Sequence, residues 1–199
     1  MALGKSYVRQ DCSLARALEV VGERWTLLLV RDCFYGVRRF GDLQAHLDIP
    51  RAVLTERLNA MVAAGLLVRR PSGGRHEYVL ADRALALWPA VFALAQWGEQ
   101  YWSPAGPRRI FSHAACGTDV GPRGLCPFCH DVPEPADLLV RPGPGAGPTA
   151  RADPVGLALR RPHQLLTPLL PVPQSARAAS SGEPDDRPGR TAHHRHAEP

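Results

Sequence analysis

The sequence predicts a mainly α-helical domain that carries one small β-hairpin, and three observations support this fold class. Apolar residues recur at helical spacing between residues 11 and 65, which indicates helices with one buried face. Two short extended runs follow, and a segment with two adjacent glycines joins them, which is a hairpin signal. A second apolar stretch with helical spacing then continues to about residue 102.

Three short helices are predicted first. The first covers about residues 13–22 and the second about residues 25–36, and Gly22 and Gly36 mark their ends, because glycine commonly terminates a helix. The third is predicted over Phe40–Leu47, where the apolar side chains share one side.

Two more helices are predicted from prolines, caps and apolar spacing. Pro50 suits the first turn of a fourth helix, where its missing N–H is not needed. Asp82 is suited to cap a last helix that runs to about Trp102, and Pro89 either kinks that helix or marks a late start. The inner face of the fourth helix carries these residues at helical steps: Leu54, Leu58, Met61 and Gly65.

The hairpin completes a recognisable order of elements. Its strands are predicted at residues 66–70 and 76–80, and residues 71–75 form a flexible tip. Two short helices joined by a tight turn and followed by a hairpin are the layout of a winged helix-turn-helix. In that fold the second helix enters the DNA major groove, and the hairpin contacts phosphates or the minor groove.

Positive charge is concentrated on the surface that this fold presents to DNA. Between residues 36 and 76 there are seven arginines and three acidic residues, a local charge of +4, which suits binding through counterion release. An ordinary helical domain with solvated arginines is the alternative interpretation of this charge. The predicted DNA contacts are Arg51, Thr55 and Arg57 on the fourth helix, and Arg69, Arg70 and Arg75 on the hairpin.

Several separated motifs in this order resemble HxlR-type regulators of the MarR/ArsR-like superfamily. The resemblance spans about residues 8–102 and implies a bacterial winged helix-turn-helix regulator that binds double-stranded DNA as a homodimer through its terminal helices. Repression is the family-level expectation. The motifs are Cys12–Leu18, Val21–Leu28, Arg39–Leu43, Val53–Leu58, Gly65–Arg70, Glu77–Leu80 and Trp97–Gly98.

Cys12 lies where several members of this family carry a redox-sensing thiol. A thiol at a helix N-terminus is activated because the helix dipole stabilises the thiolate. An oxidant or another small molecule is therefore a candidate effector. The alternative is a structural role, since free cysteine often behaves as a small buried apolar residue.

The strongest chemical signal outside the DNA-binding part is the pattern His113-x2-Cys116-x9-Cys126-x2-Cys129. Two close pairs of soft ligands separated by a Gly/Pro loop can converge on tetrahedral zinc. His130 is an alternative fourth ligand. A disulfide or redox pair and unligated thiols remain the other interpretations. Family members with a C-terminal extension have a similar pattern followed by Pro-Gly-Pro-Gly, which residues 142–145 match.

Composition predicts a long disordered tail. Residues 141–199 contain 11 prolines and 6 glycines and no Phe, Trp or Tyr, so this segment has little apolar surface to bury. Three regions are therefore predicted: a winged helix-turn-helix domain for DNA binding and dimerisation at residues 1–102, a zinc-knuckle extension at 103–140 and a disordered tail at 141–199.

Length and composition also exclude several classes of protein. The chain has 199 residues and a formal charge of +5, which is too short for a large multidomain enzyme. No apolar run reaches the ~18 residues of a membrane span, and the first residues do not resemble a secretory signal. We therefore expect a cytoplasmic, nucleoid-associated regulator with no enzymatic activity. The alternatives are a thiol or zinc oxidoreductase that uses Cys126 and Cys129, and a winged-helix protein-interaction module.

Overall fold

Four helices form the first part of the chain in the predicted order. The computed structural model describes residue 7 and residues 9–147 and 152–170. The first and third helices lie close to their predicted positions, and the second ends two residues before Gly36. The helices are α1 (Ser13–Val21), α2 (Thr26–Phe34), α3 (Phe40–Leu47) and α4 (Arg51–Ala63).

A three-residue turn joins α3 to α4 and defines the helix-turn-helix. Asp48 has a φ of 53°, a left-handed conformation that aspartate tolerates better than most residues. Ile49 is buried and anchors the turn in the core. Pro50 is the N-cap residue with extended backbone, one position before the first turn in which it was predicted. Its ring leaves α4 without a side-chain cap.

The predicted hairpin is confirmed, with longer strands and a tighter tip. Strand β1 (Leu67–Ser72) pairs antiparallel with β2 (Arg75–Leu80). Only Gly73 and Gly74 form the turn, and both have positive φ, as a two-residue turn that follows the twist of the strands requires. The segment before α3 lies along the edge of β2, where the backbone N–H of Tyr78 donates to the carbonyl of Arg38 at 2.8 Å.

The predicted last helix is two helices. A short α5 (Asp82–Leu85) precedes α6 (Trp88–Trp102). Asp82 is the first residue of α5 and makes no side-chain cap, so its predicted capping role is wrong. Pro89 lies in the first turn of α6 and marks a late start, because its ring is tolerated at a helix beginning.

An antiparallel sheet of three strands was not predicted. Strand β3 (Arg109–His113) pairs with β4 (Leu138–Pro142), and β4 pairs with β5 (His163–Gln164). The 24 residues between β3 and β4 are rich in glycine, proline and cysteine, so local sequence does not reveal this pairing. The sheet begins directly after the winged-helix region and packs against it.

An aromatic cluster joins the sheet to the helices. The ring of Trp88 on α6 lies 4.9 Å from that of Phe34 on α2 and 5.5 Å from that of Phe111 on β3. Phe92 contacts Phe111 at 5.4 Å. Such tilted and edge-on pairs stabilise a core beyond the area they bury. The winged-helix region and the described part of residues 103–170, which we call the extension from here on, therefore share one hydrophobic core.

The predicted disordered tail is wrong for its described residues, 141–147 and 152–170. Helix α7 (Pro154–Ala158) and strand β5 lie in this range, and Val155, Leu159 and Leu165 are buried. These few apolar residues hardly change the average composition of the segment. They pack into the core formed with the rest of the chain, so the segment needs no core of its own. Residues 148–151 and 171–199, the rest of that prediction, lie outside the described residues.

Residues 163–170, which we call the strap, cross the end of α2. The backbone N–H of Leu166 donates to the carbonyl of Phe34 at 2.7 Å, and that of Leu169 donates to the carbonyl of Gly36 at 3.1 Å. Arg38 donates from its guanidinium to the carbonyl of Leu166 at 2.8 Å. The strap therefore fixes the segment that leads into the helix-turn-helix.

Among the described residues, no helix is long and apolar enough to span a membrane.

Candidate nucleic-acid interface and metal cluster

Helix α4 presents a polar face away from the core. Its inner side buries Leu54, Leu58 and Met61 as predicted, whereas Gly65 lies beyond the end of α4 and is exposed. The opposite side exposes Arg51 and Thr55, so both predicted base contacts lie on the accessible face. Glu56 and Asn59 share this exposure.

Two contacts fix the first turn of α4. The guanidinium of Arg51 lies over the ring of Phe40 on α3, 5.1 Å from its centroid, a cation–π geometry. The Thr55 hydroxyl donates to the carbonyl of Arg51 at 2.9 Å. Its methyl group and oxygen lone pairs remain available on the exposed face, and these are the parts of threonine that contact bases.

Arg57 lies in different surroundings from the other predicted DNA contacts. Its side chain is 13% exposed, and its Nη2 lies 3.3 Å from Oε1 of Glu23, in the connection between α1 and α2. The buried Nε of Arg57 has no hydrogen-bond partner among the described residues. This arrangement links the position of α4 to the preceding helices, a function that the sequence pattern did not reveal.

The hairpin of β1 and β2, which we call the wing, exposes its three arginines. Arg70 and Arg75 are exposed, and Arg75 directly follows the glycine turn. Arg69 lies 5.6 Å from the ring centroid of Tyr78 and donates a hydrogen bond to Oδ1 of Asn59 on α4. The wing and the exposed face of α4 therefore form a continuous surface with a direct polar contact between them.

Cys12 is the N-cap residue of α1 and is exposed, which agrees with the position predicted for a sensing thiol. Cys33 is buried on α2, and burial together with the nearby carboxylate of Asp32 raises the pKa of its thiol strongly. Of these two thiols, only that of Cys12 is accessible to an oxidant.

The four predicted metal ligands lie together in the extension. Their candidate ligand atoms, one each from His113, Cys116, Cys126 and Cys129, are all within 4.8 Å of one another. The sulfur of Cys116 lies 3.7 Å from Nδ1 of His113 and 3.6 Å from the sulfur of Cys126. His113 ends β3, and its position is fixed by the pairing with β4 that the sequence did not predict.

These distances fit a tetrahedral zinc ion better than a disulfide. Zn–S bonds of about 2.3 Å imply sulfur atoms roughly 3.8 Å apart in a tetrahedron, whereas a disulfide requires about 2.05 Å. The backbone N–H of Cys129 lies 3.5 Å from the sulfur of Cys126, so it already donates to a candidate ligand. His130, the alternative ligand, is exposed and is not one of the four clustered residues.

Thr118 contacts one of the candidate metal ligands, and sequence reasoning missed it. Hydrogen bonds with its side chain and backbone lower the pKa of the Cys116 thiol to about 6. This shift favours the thiolate form of Cys116, the form that binds metals. Only the folded turn after Cys116 brings Thr118 to this thiol, so the spacing of cysteines and histidines gave no sign of it.

The comparisons with known proteins identify the family. Residues 20–106 match the HxlR-like helix-turn-helix family. A protein of Mycobacterium tuberculosis, named uncharacterized HTH-type transcriptional regulator Rv3095, is 44% identical over 137 residues, which is 67% of this chain and 87% of the relative. The YvaP protein of Bacillus subtilis, with the same description, is 29% identical over 45% of this chain and 87% of its own length.

The likeness to the mycobacterial protein continues into the extension. Because it covers 67% of the 199 residues, the matched stretch necessarily includes the segment 113–129.

Among solved structures, PA1607, described as a proposed transcription factor, is 42% identical over 47% of this chain and 68% of its own, with a TM-score of 0.46. The chain belongs to the HxlR-like helix-turn-helix family and is a DNA-binding transcriptional regulator.

Proposed function

We propose that the protein binds an operator as a homodimer, with each α4 in the major groove of one half-site and each wing on the adjacent backbone. The observation that carries this proposal is the continuous surface formed by the exposed face of α4 and the wing, joined by Arg69 and Asn59. Half-sites of such dimers lie about one helical turn of DNA apart. Repression of the bound promoter is the expected outcome.

The residues divide by the kind of DNA contact they are placed to make. Arg51 and Thr55 are assigned to base edges, because they lie on the exposed face at the start of α4. Arg69, Arg70 and Arg75 are assigned to phosphates, which position the protein without reading sequence. Arg57 stays a predicted contact, although its pairing with Glu23 favours a role in orienting α4.

A gel-shift titration on the DNA upstream of the protein's own gene tests this division. Arg51→Ala should weaken specific binding by about 1–3 kcal/mol and leave nonspecific binding unchanged, because a base contact is lost. Arg75→Ala should weaken both and reduce the salt slope by about 1. Arg123→Ala removes an exposed arginine of the extension and is the control. Equal binding by wild type and the two test variants contradicts the assignment.

Exposed aromatic residues on α6 support the homodimer. Trp97, Tyr101 and Trp102 are each more than half exposed, and their rings contact one another at 4.7–6.0 Å. Trp88 and Phe92 on the same helix lie in the core instead. An exposed apolar cluster of this kind marks an association surface.

Sedimentation equilibrium tests the dimer separately from DNA binding. Trp97→Ser with Tyr101→Ser should shift the protein toward a monomer and lower operator affinity, because both half-sites can no longer be bound together. Trp102→Phe keeps an aromatic ring and is the control. A wild-type protein that remains monomeric at ~100 μM contradicts the proposal, since dimer contacts of normal size bind more tightly than this.

The four clustered ligands are proposed to hold one structural zinc ion. Bound zinc would cross-link β3 to the Cys126–Cys129 turn and so supply folding free energy to the extension. Metal analysis of purified protein should give about one Zn per chain, and less than ~0.2 contradicts the site. The alternative thiol oxidoreductase instead predicts no metal and rapid disulfide exchange at Cys126 and Cys129.

A redox response is proposed for Cys12. Oxidation or alkylation of this exposed N-cap thiol would change the N-terminus of α1. Cys12→Ser should bind the operator normally in the gel shift but lose the response to diamide that the wild type shows. A variant that still responds to diamide contradicts the proposal, and Cys33→Ser, at a buried thiol, is the control for nonspecific oxidation.

A further inference from the structure

A cavity of about 560 Å³ lies where the winged-helix region meets the extension. Its walls come from α2, α6 and β3, together with residues 145–147 and Leu159 of the extension. Sites for small molecules typically have volumes of roughly 300–1,000 Å³ and often lie between packed units. The volume and place of this cavity are therefore those of a ligand site.

Three arginines line the cavity, and one of them has no carboxylate partner. Arg31 donates to Oδ1 of Asp32 at 2.7 and 2.9 Å, and Arg108 lies 3.4 Å from Oε2 of Glu99. Arg109 donates from Nη1 to the carbonyl of Leu159 at 2.8 Å. Among the described residues, no carboxylate lies within ion-pair distance of Arg109.

The surroundings of Arg109 favour an anion. Burial lowers the pKa of its guanidinium and the like charge of Arg31 acts in the same direction, whereas Tyr35 and Glu99 act against them. A positive charge in this position is costly to keep out of water unless an opposite charge comes close. Burial also raises the pKa of Tyr35, so its phenol stays protonated at neutral pH and can donate a hydrogen bond to the same anion.

The rest of the lining is mixed, because His46, Gln96 and Glu99 are polar and the remaining residues are small or apolar. Phe111 and Trp102 line the cavity, and a second cleft of about 240 Å³ shares Phe111 and Tyr35 with it. That cleft continues between α2 and α6 to Trp88 and Phe92. One end of the site is therefore cationic and the other is suited to a flat apolar body.

We propose that this cavity binds a small organic anion with an aromatic body, such as an aryl carboxylate, and that the bound anion changes DNA affinity. The carboxylate would pair with Arg109 and Tyr35, and the ring would pack on Phe111 toward the second cleft. His46 of α3 also lines the cavity, so an occupant contacts the helix-turn-helix as well as α6, which carries the proposed dimer surface. The regulatory half of the inference rests on the proposed function, and the binding half does not.

Isothermal calorimetry with the full chain and 2-naphthoate tests the binding half. The expected result is one site per chain with a dissociation constant in the range of about 1–500 μM. The uncharged analogue 2-naphthalenemethanol should bind at least tenfold more weakly, because it cannot form a charge-assisted pair with Arg109. Sulfate, which has no apolar body, should bind at least tenfold more weakly too.

Three variants locate the site. Arg109→Met removes the charge and should weaken 2-naphthoate binding at least tenfold. Gly98→Leu adds a side chain at a cavity-lining position of α6 where a Cβ meets nothing within 4 Å, so it should block the site without disturbing the fold. Arg123→Met changes an exposed arginine that does not line the cavity and should bind normally. Circular dichroism and sedimentation confirm that each variant keeps its fold and association state.

The outcomes are decisive in both directions. Absence of 2-naphthoate binding at ~5 mM, or binding that neither Arg109→Met nor Gly98→Leu weakens, overturns the site. If a second copy of the chain or residues 171–199 fill the cavity instead, 2-naphthoate will not bind. A gel shift with and without 2-naphthoate tests the regulatory half, for which at least a threefold change in operator affinity is expected in wild type and none in Gly98→Leu. Operator binding that stays unchanged while calorimetry shows the site overturns the regulatory half alone.

Discussion

The winged-helix region and the extension fold by different means, although they share one core. Each helix of the first region buries a face that its own sequence spacing defines, such as the side of α4 that carries Leu54 and Leu58. The extension has a short α7 and small strands, and its order depends on distant contacts. Its strand β3 pairs with β4 across an intervening segment of 24 residues.

This contrast shows how a loop-rich segment becomes ordered. The extension adds Phe111, Val155 and Leu165 to a core that the helices have already formed, so each buried residue gains contacts without a second complete core. The strap then uses backbone hydrogen bonds to Phe34 and Gly36. The four metal ligands would close the remaining loop. Perturbing each of these contacts tests how far the two regions depend on each other.

The largest effect is expected from the proposed metal site. Cys126→Ala removes a buried ligand and should release zinc, and amide protection in β3 and β4 should fall by at least about 100-fold, since structural zinc contributes folding free energy directly. Protection in α3 and α4 should fall much less. Hydrogen exchange by mass spectrometry measures both regions, and Cys12→Ala is the control. Unchanged protection of β3 and β4 would show that the extension folds without the site.

The next effect is expected from the buried part of the strap. Leu165→Ala should lower the free energy of unfolding by about 2–5 kcal/mol, because a fully buried side chain leaves a cavity. Leu157→Ala, at a position that is 45% exposed, should change it by less than ~0.5 kcal/mol. Urea denaturation measures both variants. Equal stability of the two would mean that the strap does not contribute to the core.

Alanine substitutions at two glycines distinguish the cost of backbone strain from the cost of displacing the strap. Gly36 and Gly65 both have positive φ, but a Cβ on Gly36 would lie 1.7 Å from the carbonyl oxygen of Thr167, whereas one on Gly65 meets nothing within 4 Å. Gly65→Ala should cost about 1–2 kcal/mol from strain alone. Gly36→Ala should cost about 1–2 kcal/mol more than that, because the strap must move as well. Similar losses in thermal denaturation would argue against a close approach of the strap.

The smallest effect is expected where α7 meets α3. Oδ1 of Asp153 accepts from the backbone N–H of Gly156 at 2.9 Å and lies 3.2 Å from Nδ1 of His46. Asp153→Ala should destabilise the protein by about 1 kcal/mol through loss of the helix cap. Asp153→Asn keeps a capping oxygen and should lose less. A larger loss for Asn than for Ala in urea denaturation would assign the effect to something other than the cap.

Much of the candidate interface and of the His/Cys cluster could be predicted from residue patterns. The bounds of α3 and the exposure of Arg51, Thr55 and Arg75 follow from helical spacing and from the hairpin signal, which depend on neighbours in sequence. The cluster of His113 with three cysteines follows from ligand chemistry and spacing. The pairing of Arg57 with Glu23 was not predicted, because it joins α4 to a turn 34 residues earlier.

By itself, the sequence determined the helix-turn-helix, the wing, the local positive charge and the ligand set, because periodicity, turn residues and donor type are local properties. Only the tertiary structure decided that residues 152–170 are ordered, that a second sheet exists and that a cavity with Arg109 lies at the junction. These features depend on surfaces that meet only after folding. Average composition does not register such contacts. It therefore predicted a disordered tail for a segment whose few apolar residues complete the core.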